Sequence, residues 1–204
     1  MDSIQTITNI SNDVLRRAIK MEYAQVAQDP HKGYHFHTGC EALTRIGYDP
    51  GLYESLPEEN IASFAGTGNP FSLGPIRHGD VVVDVGSGSG FDSLIAARLV
   101  GPQGRVVGID MTAEMIEKAQ AGANSMELNN VEFSLGLADE LPLPNDFADV
   151  IISNGVLNLT PDKKKTLNEW ARVLKWGGRL FVGDIVIEKK MTQEALDDIS
   201  LWTG

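Results

Sequence analysis

Seven residues near the middle of the chain, Asp84–Gly90 with the sequence DVGSGSG, constrain the fold more than any other segment. They overlap the end of a valine-rich run that begins at Val81, and an apolar helix pattern over Phe91–Val100 follows them. A strand, a glycine-rich turn and a helix in this order place a ligand over the N-terminus of the helix. The motif therefore predicts a parallel α/β sheet with a ligand site at the edge where its strands end.

After residue 79, short β-branched runs alternate with amphipathic helix patterns, which is typical of βα units around a doubly wound parallel sheet. Five strands are predicted, over Val81–Val85, Arg105–Ile109, Val131–Ser134, Ala148–Ser153 and Arg179–Val186, the last after a turn at Gly177-Gly178. Helices are predicted over Phe91–Val100, from a cap at Thr112 to about Met126, from Thr160-Pro161 to about Leu174, and over Met191–Trp202.

Residues 1–78 differ in composition from the rest, being polar with Gly, Pro, His and Tyr. We interpret them as a helical and loop extension that covers the ligand pocket of a core domain spanning 79–204. The elements predicted in the extension are a helix from about Ser11 to Gln28, a loop over His31–Pro50, and a short helix with a capping box at Ser55 and Glu58 that ends near Phe64.

The spacing of the glycines distinguishes between two classes of cofactor. A nicotinamide site has the spacing G-x-G-x-x-G, whereas the third glycine of Gly86, Gly88 and Gly90 comes one position early. Asp84 precedes the loop, where a carboxylate attracts an ammonium group through water. Asp110 follows Gly90 by twenty residues, at the end of the second strand, where a carboxylate can accept hydrogen bonds from both ribose hydroxyls. These residues predict S-adenosylmethionine, bound through its amino-acid and ribose portions.

Two further strand ends complete the predicted pocket, because the carboxyl ends of parallel strands meet at one edge of the sheet. Ala138, after the third strand, offers adenine a small side chain and a backbone amide, and Asn154, after the fourth, is expected beside the methionine portion. The predicted cofactor-binding residues are Asp84, Gly86, Ser87, Gly88, Gly90, Asp110, Met111, Ala138 and Asn154. No catalytic residue is predicted, because methyl transfer depends mainly on alignment and desolvation.

Four longer phrases are informative as wholes: VDVGSGSGFDSLIAARLVGPQGRVVGIDMTAEMIEKA, NVEFSLGLADELPLP, DVIISNGVLNLTPDKK and RVLKWGGRLFVGDIV. They resemble the arsenite methyltransferase family, and more loosely the methyltransferases of quinone biosynthesis, and the likeness covers about Asn69 to Val186. The resemblance implies a class I S-adenosylmethionine-dependent methyltransferase acting on a small molecule. It also implies a Rossmann-like sheet of seven strands in the order 3-2-1-4-5-7-6, of which the first five are predicted here as 3-2-1-4-5.

The chain departs from that family at the metalloid ligands. The resemblance implies cysteines in the phrases that read ISNGV and GTGNP here, at the positions of Gly155 and Thr67. Neither residue is a soft ligand for trivalent arsenic, so we expect the cofactor to be shared and the acceptor to differ. The alternatives are a non-catalytic S-adenosylmethionine-binding domain that works through a partner and, with less support, an NAD(P)-dependent oxidoreductase.

The end of the chain raises a second question. After the last predicted helix the sequence stops at Gly204, with no segment for strands 6 and 7. Either the chain is a truncated product, which we favour, or another subunit covers the fifth strand. An exposed strand such as Leu180–Val182 is an association hazard, so the oligomer predicted is a homodimer through that strand.

Three histidines, His31, His35 and His37, lie within seven residues, and Cys40 follows them. These are metal-ligand residue types, but no second cysteine or carboxylate-rich segment accompanies them, so no metal site is assigned. The alternatives left open are that His35, His37 and Cys40 bind a metal, that they line the acceptor pocket, or that the histidines pack in an ordinary loop.

Composition limits the partners and the location. The formal net charge of −11 argues against nucleic acid and anionic membrane as binding partners. There is one cysteine, the N-terminus lacks the pattern of a secretory signal, and no apolar run is long enough for a membrane helix. We therefore expect a cytoplasmic protein that acts on a small molecule.

Overall fold

The structure is a computed structural model that describes residues 9–186 and 192–202. Within these residues, five strands form one parallel sheet in the order β3-β2-β1-β4-β5. The strands are β1 (Val81–Val85), β2 (Arg105–Asp110), β3 (Val131–Leu135), β4 (Ala148–Asn154) and β5 (Leu174–Gly183). The predicted Rossmann-like sheet and its strand order are confirmed, and β1 lies at the centre with β2 and β4 on either side.

The two faces of the sheet are covered by separate hydrophobic cores, as expected for parallel strands that are buried on both sides. Successive residues of a strand point to opposite faces, so Val82 belongs to the core beneath the helix that follows the glycine loop, and Val83 to the other core. Trp170 is completely buried in that second core, where it packs with Val83 and Ile151. The carboxyl ends of β1, β2 and β4 therefore lie side by side between the two cores.

The helices cover both faces and the N-terminal region. They are α1 (Asn12–Gln28), α2 (Gly39–Ile46), α3 (Pro50–Tyr53), α4 (Glu58–Ala62), α5 (Phe91–Val100), α6 (Ala113–Ser125), α7 (Lys163–Val173) and α8 (Gln193–Leu196), with 3-10 turns at Pro70–Ser72, Leu157–Leu159 and Ile199–Leu201. The helical N-terminal region is therefore present as predicted. None of the helices in the described ranges is long and apolar enough to cross a membrane.

An aromatic cluster attaches the N-terminal region to the core. The ring of Phe91, the first residue of α5, lies with its centroid 5.3 Å from that of Tyr48 and 4.5 Å from that of Phe64. All three side chains are buried. On the opposite flank, α1 packs against α6, and Val26 and Ala27 of α1 share a hydrophobic cluster with Met115 of α6. The N-terminal region is thus packed along the same edge of the sheet that carries the strand ends.

Two local predictions for the N-terminal region are wrong. His31–Pro50 is not all loop, because it contains α2, which ends at Gly47 in a left-handed conformation with φ of 73°. The short helix has no capping box, since α4 begins at Glu58 after Pro57 and no side chain caps it.

Three local predictions after the fourth strand are also wrong. The helix predicted to start at Thr160-Pro161 starts at Lys163, because the carboxylate of Asp162 caps it by accepting a hydrogen bond from the Lys165 amide. Gly177-Gly178 lies inside β5, which starts at Leu174 and shifts its register against β4 there. The final helix is a short α8 followed by a 3-10 turn, and the predicted starting residue Met191 lies outside the described residues.

Candidate functional site

A cavity of about 1,020 Å³, counted with its open mouth, lies where the central strands end. Eight of the nine residues that the sequence suggested for the cofactor line it, namely Asp84, Gly86, Ser87, Gly88, Asp110, Met111, Ala138 and Asn154. Gly90 does not line it. A Cβ atom there would lie 2.8 Å from Ala119, so Gly90 allows α5 to pack against α6.

The glycine loop turns sharply between β1 and α5. The amides of Gly86 and Ser87 donate to the carbonyl of Ile109 on β2, at 2.7 and 3.0 Å. Gly86 has a φ of 73°, and a Cβ atom on it would lie 2.2 Å from a methyl carbon of Val156. Gly88 also has a positive φ, but nothing lies within 4 Å of its Cβ position. Gly86 is therefore required for close packing, whereas Gly88 leaves open space beside the loop.

Asp110 is fixed at the end of β2 by two backbone amides. Its Oδ2 accepts from the Gly88 amide at 2.9 Å, and its Oδ1 accepts from the Thr112 amide at 2.8 Å. Burial raises the pKa of Asp110, and these hydrogen bonds oppose that rise. Asp110 lines the cavity, so its carboxylate is placed where it can accept hydrogen bonds from a ligand.

A buried pair of acids, Asp84 and Asp92, lies at the base of the cavity, and both residues line it. Asp84 accepts a hydrogen bond of 2.6 Å from the Ser93 hydroxyl. Burial and the charge of Asp92 raise the pKa of Asp84. Sequence reasoning missed Asp92, because an acidic residue in the first turn of a helix has an ordinary explanation in the helix dipole.

Asp92 is held by two neutral donors. The Tyr48 hydroxyl donates to Oδ1 at 2.6 Å, and the Asn154 side chain donates to Oδ2 at 3.0 Å. Burial raises the pKa of Asp92 to about 6, although both hydrogen bonds act in the opposite direction. Burial also raises the pKa of Tyr48, so its hydroxyl remains a donor.

The side chain of Asn154 faces the N-terminal loop at residues 66–68. Its Oδ1 accepts from the amides of Thr67 and Gly68, at 2.8 and 2.9 Å. Its Nδ2 donates to the Gly68 carbonyl at 2.7 Å as well as to Asp92. Asn154 therefore links the loop to the acid pair with its side chain, while the residue itself remains at the cavity wall.

The opposite end of the cavity is bounded by the segment after β3. The carbonyl of Ala138 accepts a hydrogen bond of 2.9 Å from the Trp170 indole. The neighbouring Asp139 is buried and accepts from Arg16 of α1, at 2.8 and 3.0 Å, and from Lys165 of α7 at 2.9 Å. Arg16, a cavity residue that sequence reasoning also missed, thus ties α1 across the cavity to the core.

Two other wall residues, Ser87 and Tyr23, carry hydroxyl groups. The Ser87 hydroxyl is buried and has no hydrogen-bond partner among the described residues. Tyr23 of α1 lines the cavity and stacks on Phe36 with ring centroids 5.9 Å apart. Burial raises the pKa of Tyr23, and the charge of Asp110 adds to the rise, so its hydroxyl is neutral at physiological pH.

The histidine segment lies away from the cavity lining. His37 Nδ1 is 3.0 Å from a carboxylate oxygen of Glu41, His35 packs edge-on against Phe36, and Cys40 is exposed. Neither His35, His37 nor Cys40 is among the residues that line the cavity. In residues 9–186 and 192–202, no three His, Cys, Asp or Glu side chains are grouped as a metal site requires.

Gly155 and Thr67, the two positions of the expected thiols, face each other. A Cβ atom on Gly155 would lie 3.4 Å from Cγ2 of Thr67 and 3.5 Å from its hydroxyl oxygen. Gly155 lines the cavity, so the space beside it is bounded by a hydroxyl and a methyl group.

Comparison with protein families gives a match between residues 76–203 and the methyltransferase domain family. The arsenite methyltransferase of Halobacterium salinarum is 41% identical over 167 residues, which are 82% of this chain and 42% of that protein. The arsenite methyltransferase of Aquipseudomonas alcaligenes is 35% identical over 170 residues, which are 80% of this chain and 49% of that protein. The chain therefore spans less than half the length of these two relatives.

Two solved structures resemble the fold. The arsenic(III) S-adenosylmethionine methyltransferase of Chlamydomonas reinhardtii superimposes with a TM-score of 0.66 at 34% identity, over 71% of this chain and 51% of that one. A S-adenosylmethionine-dependent methyltransferase from Aquifex aeolicus gives a TM-score of 0.55 at 26% identity, over 72% of this chain and 80% of that one.

Proposed function

This chain belongs to the methyltransferase domain family of class I S-adenosylmethionine-dependent enzymes, and from that premise we propose that it methylates a small-molecule acceptor. The observation that carries the proposal is the convergence of the acid pair, the glycine loop and Asp110 on one cavity at the carboxyl edge of a parallel sheet. This edge is where open α/β sheets bind their ligands.

The cavity residues fit S-adenosylmethionine. Asp84 supplies a buried acid for the ammonium group, Asp110 offers a carboxylate at the cavity wall to the ribose hydroxyls, and Ala138 bounds a space for adenine. The buried Ser87 hydroxyl, without a protein partner, is the kind of group that a polar ligand satisfies. We assign the nine predicted cofactor residues to this site, with Gly90 acting through the packing of α5 and α6.

The chain itself contributes alignment and the exclusion of water. When bound, S-adenosylmethionine supplies an electrophilic methyl group on a sulfonium. Ile19, Tyr23 and Phe64 of the N-terminal region line the cavity and shield it from solvent. Such shielding and positioning carry most of the rate enhancement in an in-line displacement. We assign no general base, because no described side chain is placed toward an identified acceptor.

We propose that the acceptor attacks the methyl group through a carbon or other soft nucleophilic atom of its own and that it is not a metalloid. Thr67 and Gly155 support this view, because a hydroxyl and a glycine stand where the resemblance implies thiolates. The missing side chain at Gly155 leaves room beside the Asn154 backbone for a bulkier acceptor. The absence of nucleic-acid and membrane partners, and a cytoplasmic location, stay predictions from charge and cysteine content.

The exposed edge of β5 favours a homodimer. Within the described residues β5 pairs with β4 alone, and Leu180 and Trp176 on it are exposed. A free strand edge with apolar side chains promotes association. Light scattering of the wild type and of Leu180→Lys tests this: a dimer that the substitution dissociates supports it, and a monomeric wild type refutes it.

Calorimetry with S-adenosylhomocysteine and with NAD tests the cofactor assignment. We expect micromolar binding of S-adenosylhomocysteine, no binding of NAD, and at least a tenfold loss in Asp110→Ala, because two ligand hydrogen bonds disappear. The matched control is Asp149→Ala, which also removes an aspartate that accepts from a backbone amide, at Val81, but lies outside the cavity.

The outcomes separate the alternatives. Binding of NAD in place of S-adenosylhomocysteine would overturn the proposal in favour of an oxidoreductase. Equal affinities in wild type and Asp110→Ala would refute the ribose assignment. Transfer of a labelled methyl group to thiols, quinols or metalloids distinguishes an enzyme from a non-catalytic cofactor-binding domain, which binds without turnover.

A further inference from the structure

Residues 192–202, which we call the tryptophan segment, pack against α1 beside the cavity. The segment contains α8 and a 3-10 turn, which Trp202 follows. Only 8% of Trp202 is exposed to solvent, because its ring is buried in a small hydrophobic cluster with Leu15 and Ile19 of α1. Its indole N–H donates to the Leu196 carbonyl at 2.9 Å, which fixes the ring within the segment.

The cluster around Trp202 also forms one wall of the cavity. Tyr23, Met111 and Leu159 pack against the cluster, and all three line the cavity, as does Ile19. Trp202 is not among the lining residues, so its ring lies behind this wall. Because protein interiors are close-packed, a ring that fills the space behind a wall limits how far the wall can move away from a ligand.

Two hydrogen bonds join the tryptophan segment to the chain just before α1. The backbone amide and the side-chain amide of Asn9 donate to the two carboxylate oxygens of Asp197, at 2.7 and 2.6 Å, across 188 positions of sequence. Asn9 comes shortly before Ser11, the residue that caps α1. The segment therefore holds α1 at its start as well as through the cluster around Trp202.

A lysine links Trp202 to the cavity wall that follows β4. The ammonium group of Lys163 donates to the carbonyls of Asn158 and Thr160, at 3.1 and 3.3 Å. The same ammonium group lies 5.5 Å from the centre of a Trp202 ring, within the range of a cation–π interaction. Since Thr160 lines the cavity, Trp202 is connected to the wall on both sides of the site, through α1 and through Lys163.

The tryptophan segment has little regular structure of its own. Its helix α8 contains four residues and its 3-10 turn contains three. Helices of this length are not stable in isolation, so the position of the segment depends on its tertiary contacts. Elements that depend on a few contacts can detach at a smaller free-energy cost than that of global unfolding. Detachment of Trp202 would free the wall formed by Ile19 and Leu159 without unfolding the sheet.

We propose that Trp202 is a positioning residue for the cavity: it holds α1 against a bound ligand, and the ligand dissociates when the tryptophan segment detaches. The inference rests on the proposed function, in which the ligand is S-adenosylmethionine or its product. Trp202 acts through Ile19 and Leu159 and does not touch the ligand itself. Movements of this kind often set the rate at which ligands leave an enzyme.

The dissociation rate of labelled S-adenosylhomocysteine, measured after rapid dilution into unlabelled ligand, tests the proposal. We expect Trp202→Ala to raise this rate roughly tenfold or more and to change the association rate less than about threefold, because the segment acts on the bound state. Trp202→Phe keeps an apolar ring and should have a smaller effect. The matched control is Leu43→Ala, which removes a completely buried side chain outside the cavity lining and should lower stability without changing the dissociation rate.

Acrylamide quenching of tryptophan fluorescence is the second readout. The chain has three tryptophans, of which Trp170 is completely buried and Trp176 fully exposed. In Trp176→Phe, quenching therefore reports mainly on Trp202. We expect S-adenosylhomocysteine to reduce the quenching in Trp176→Phe but not in the double variant that also carries Trp202→Phe. If Trp202 contributed only to the stability of the fold, quenching would be the same with and without the ligand.

Asn9→Ala keeps the test decisive if Trp202→Ala does not fold, because Asn9 is exposed and its truncation leaves no buried cavity. We expect dissociation about two- to fivefold faster than in the wild type, since both hydrogen bonds to Asp197 are lost. Unchanged dissociation rates in these variants, or quenching that does not respond to the ligand, would overturn the inference and leave the cofactor assignment intact. Failure of the wild type to bind S-adenosylhomocysteine would instead refute the proposed function.

Discussion

Truncation of Asn154 to alanine is expected to lower the free energy of unfolding by about 3–5 kcal/mol. The side chain makes two acceptor contacts, to the amides of Thr67 and Gly68, and two donor contacts, to the Gly68 carbonyl and Asp92. The Asn154 Nδ2 also lies 3.2 Å from the Tyr48 hydroxyl oxygen. Because Nδ2 has two hydrogens, one of them is shared between two of its three acceptors. One half-buried amide thus connects the N-terminal region, β4 and the acid pair.

The magnitude follows from the kinds of bonds that are lost. A neutral hydrogen bond contributes about 1 kcal/mol net, and one to a charged group contributes roughly 1.5–3 kcal/mol. In the variant, water that enters the half-buried site can accept hydrogen bonds from the amides of Thr67 and Gly68. This replacement lowers the total loss in the free energy of unfolding. Removal of a donor to Asp92 also raises the pKa of that acid further, since this hydrogen bond is one of the two that lower it.

Urea denaturation at pH 7, followed by circular dichroism, measures the effect. The matched control is Asn130→Ala, because Asn130 also bridges two carbonyls, those of Ala97 and Gly101, at 2.8 and 2.9 Å, and lies outside the cavity lining. We expect about 1–2 kcal/mol there and unchanged ligand affinity. A loss below about 1 kcal/mol in Asn154→Ala would show that the contacts of this residue are dispensable, and the reasoning would fail.

Three further outcomes are expected. Gly86→Ala should destabilise by about 2–3 kcal/mol in thermal melts, because its Cβ would lie 2.2 Å from a methyl of Val156 at a φ of 73°, whereas Gly88→Ala, with open space, should lose only about 1 kcal/mol. Arg16→Ala should increase the dissociation rate of S-adenosylhomocysteine severalfold in stopped-flow measurements, because the ion pair that holds α1 across the cavity is lost; an unchanged rate would contradict this. Because the pKa of Asp92 is higher in the folded protein than in the unfolded chain, its contribution to stability falls as pH rises from about 4 to about 6. Asp92→Asn should therefore gain roughly 3 kcal/mol relative to wild type between pH 4 and 7 in urea titrations, and parallel curves would refute the assignment.

The sheet and its ligand edge are predictable from sequence because both depend on local patterns. Runs of β-branched residues separated by helical periodicity specify five strands, and the glycine loop identifies the central one, β1. The error at β5 has a physical origin: Gly177-Gly178 resembles a turn, but in the structure the two glycines accommodate a shift of register inside the strand. Local patterns do not distinguish these two uses of glycine.

The residues that sequence reasoning missed act across long separations in the chain. Tyr48 reaches Asp92 over 44 positions, and Arg16 reaches Asp139 over 123. Neither Asp92 nor Asp139 has a sequence context that distinguishes it from a surface acid near the start of a helix or in a loop. Their role becomes visible only when burial is known, because a buried carboxylate must be explained by its partners and an exposed one need not be.

The predicted division into an extension, 1–78, and a core, 79–204, therefore understates how the two parts depend on each other. The acid Asp92 belongs to the core, but the hydrogen bond from Tyr48 of the extension favours its charged form. Under the proposed function, the ammonium group of the cofactor would favour the same charged form, so ligand binding and the contacts of the extension are expected to stabilise each other. Linkage of this kind is reciprocal by thermodynamic necessity. We therefore expect the extension to contribute to the electrostatics of the proposed site as well as to its cover, and we expect weaker contacts of the extension to lower affinity.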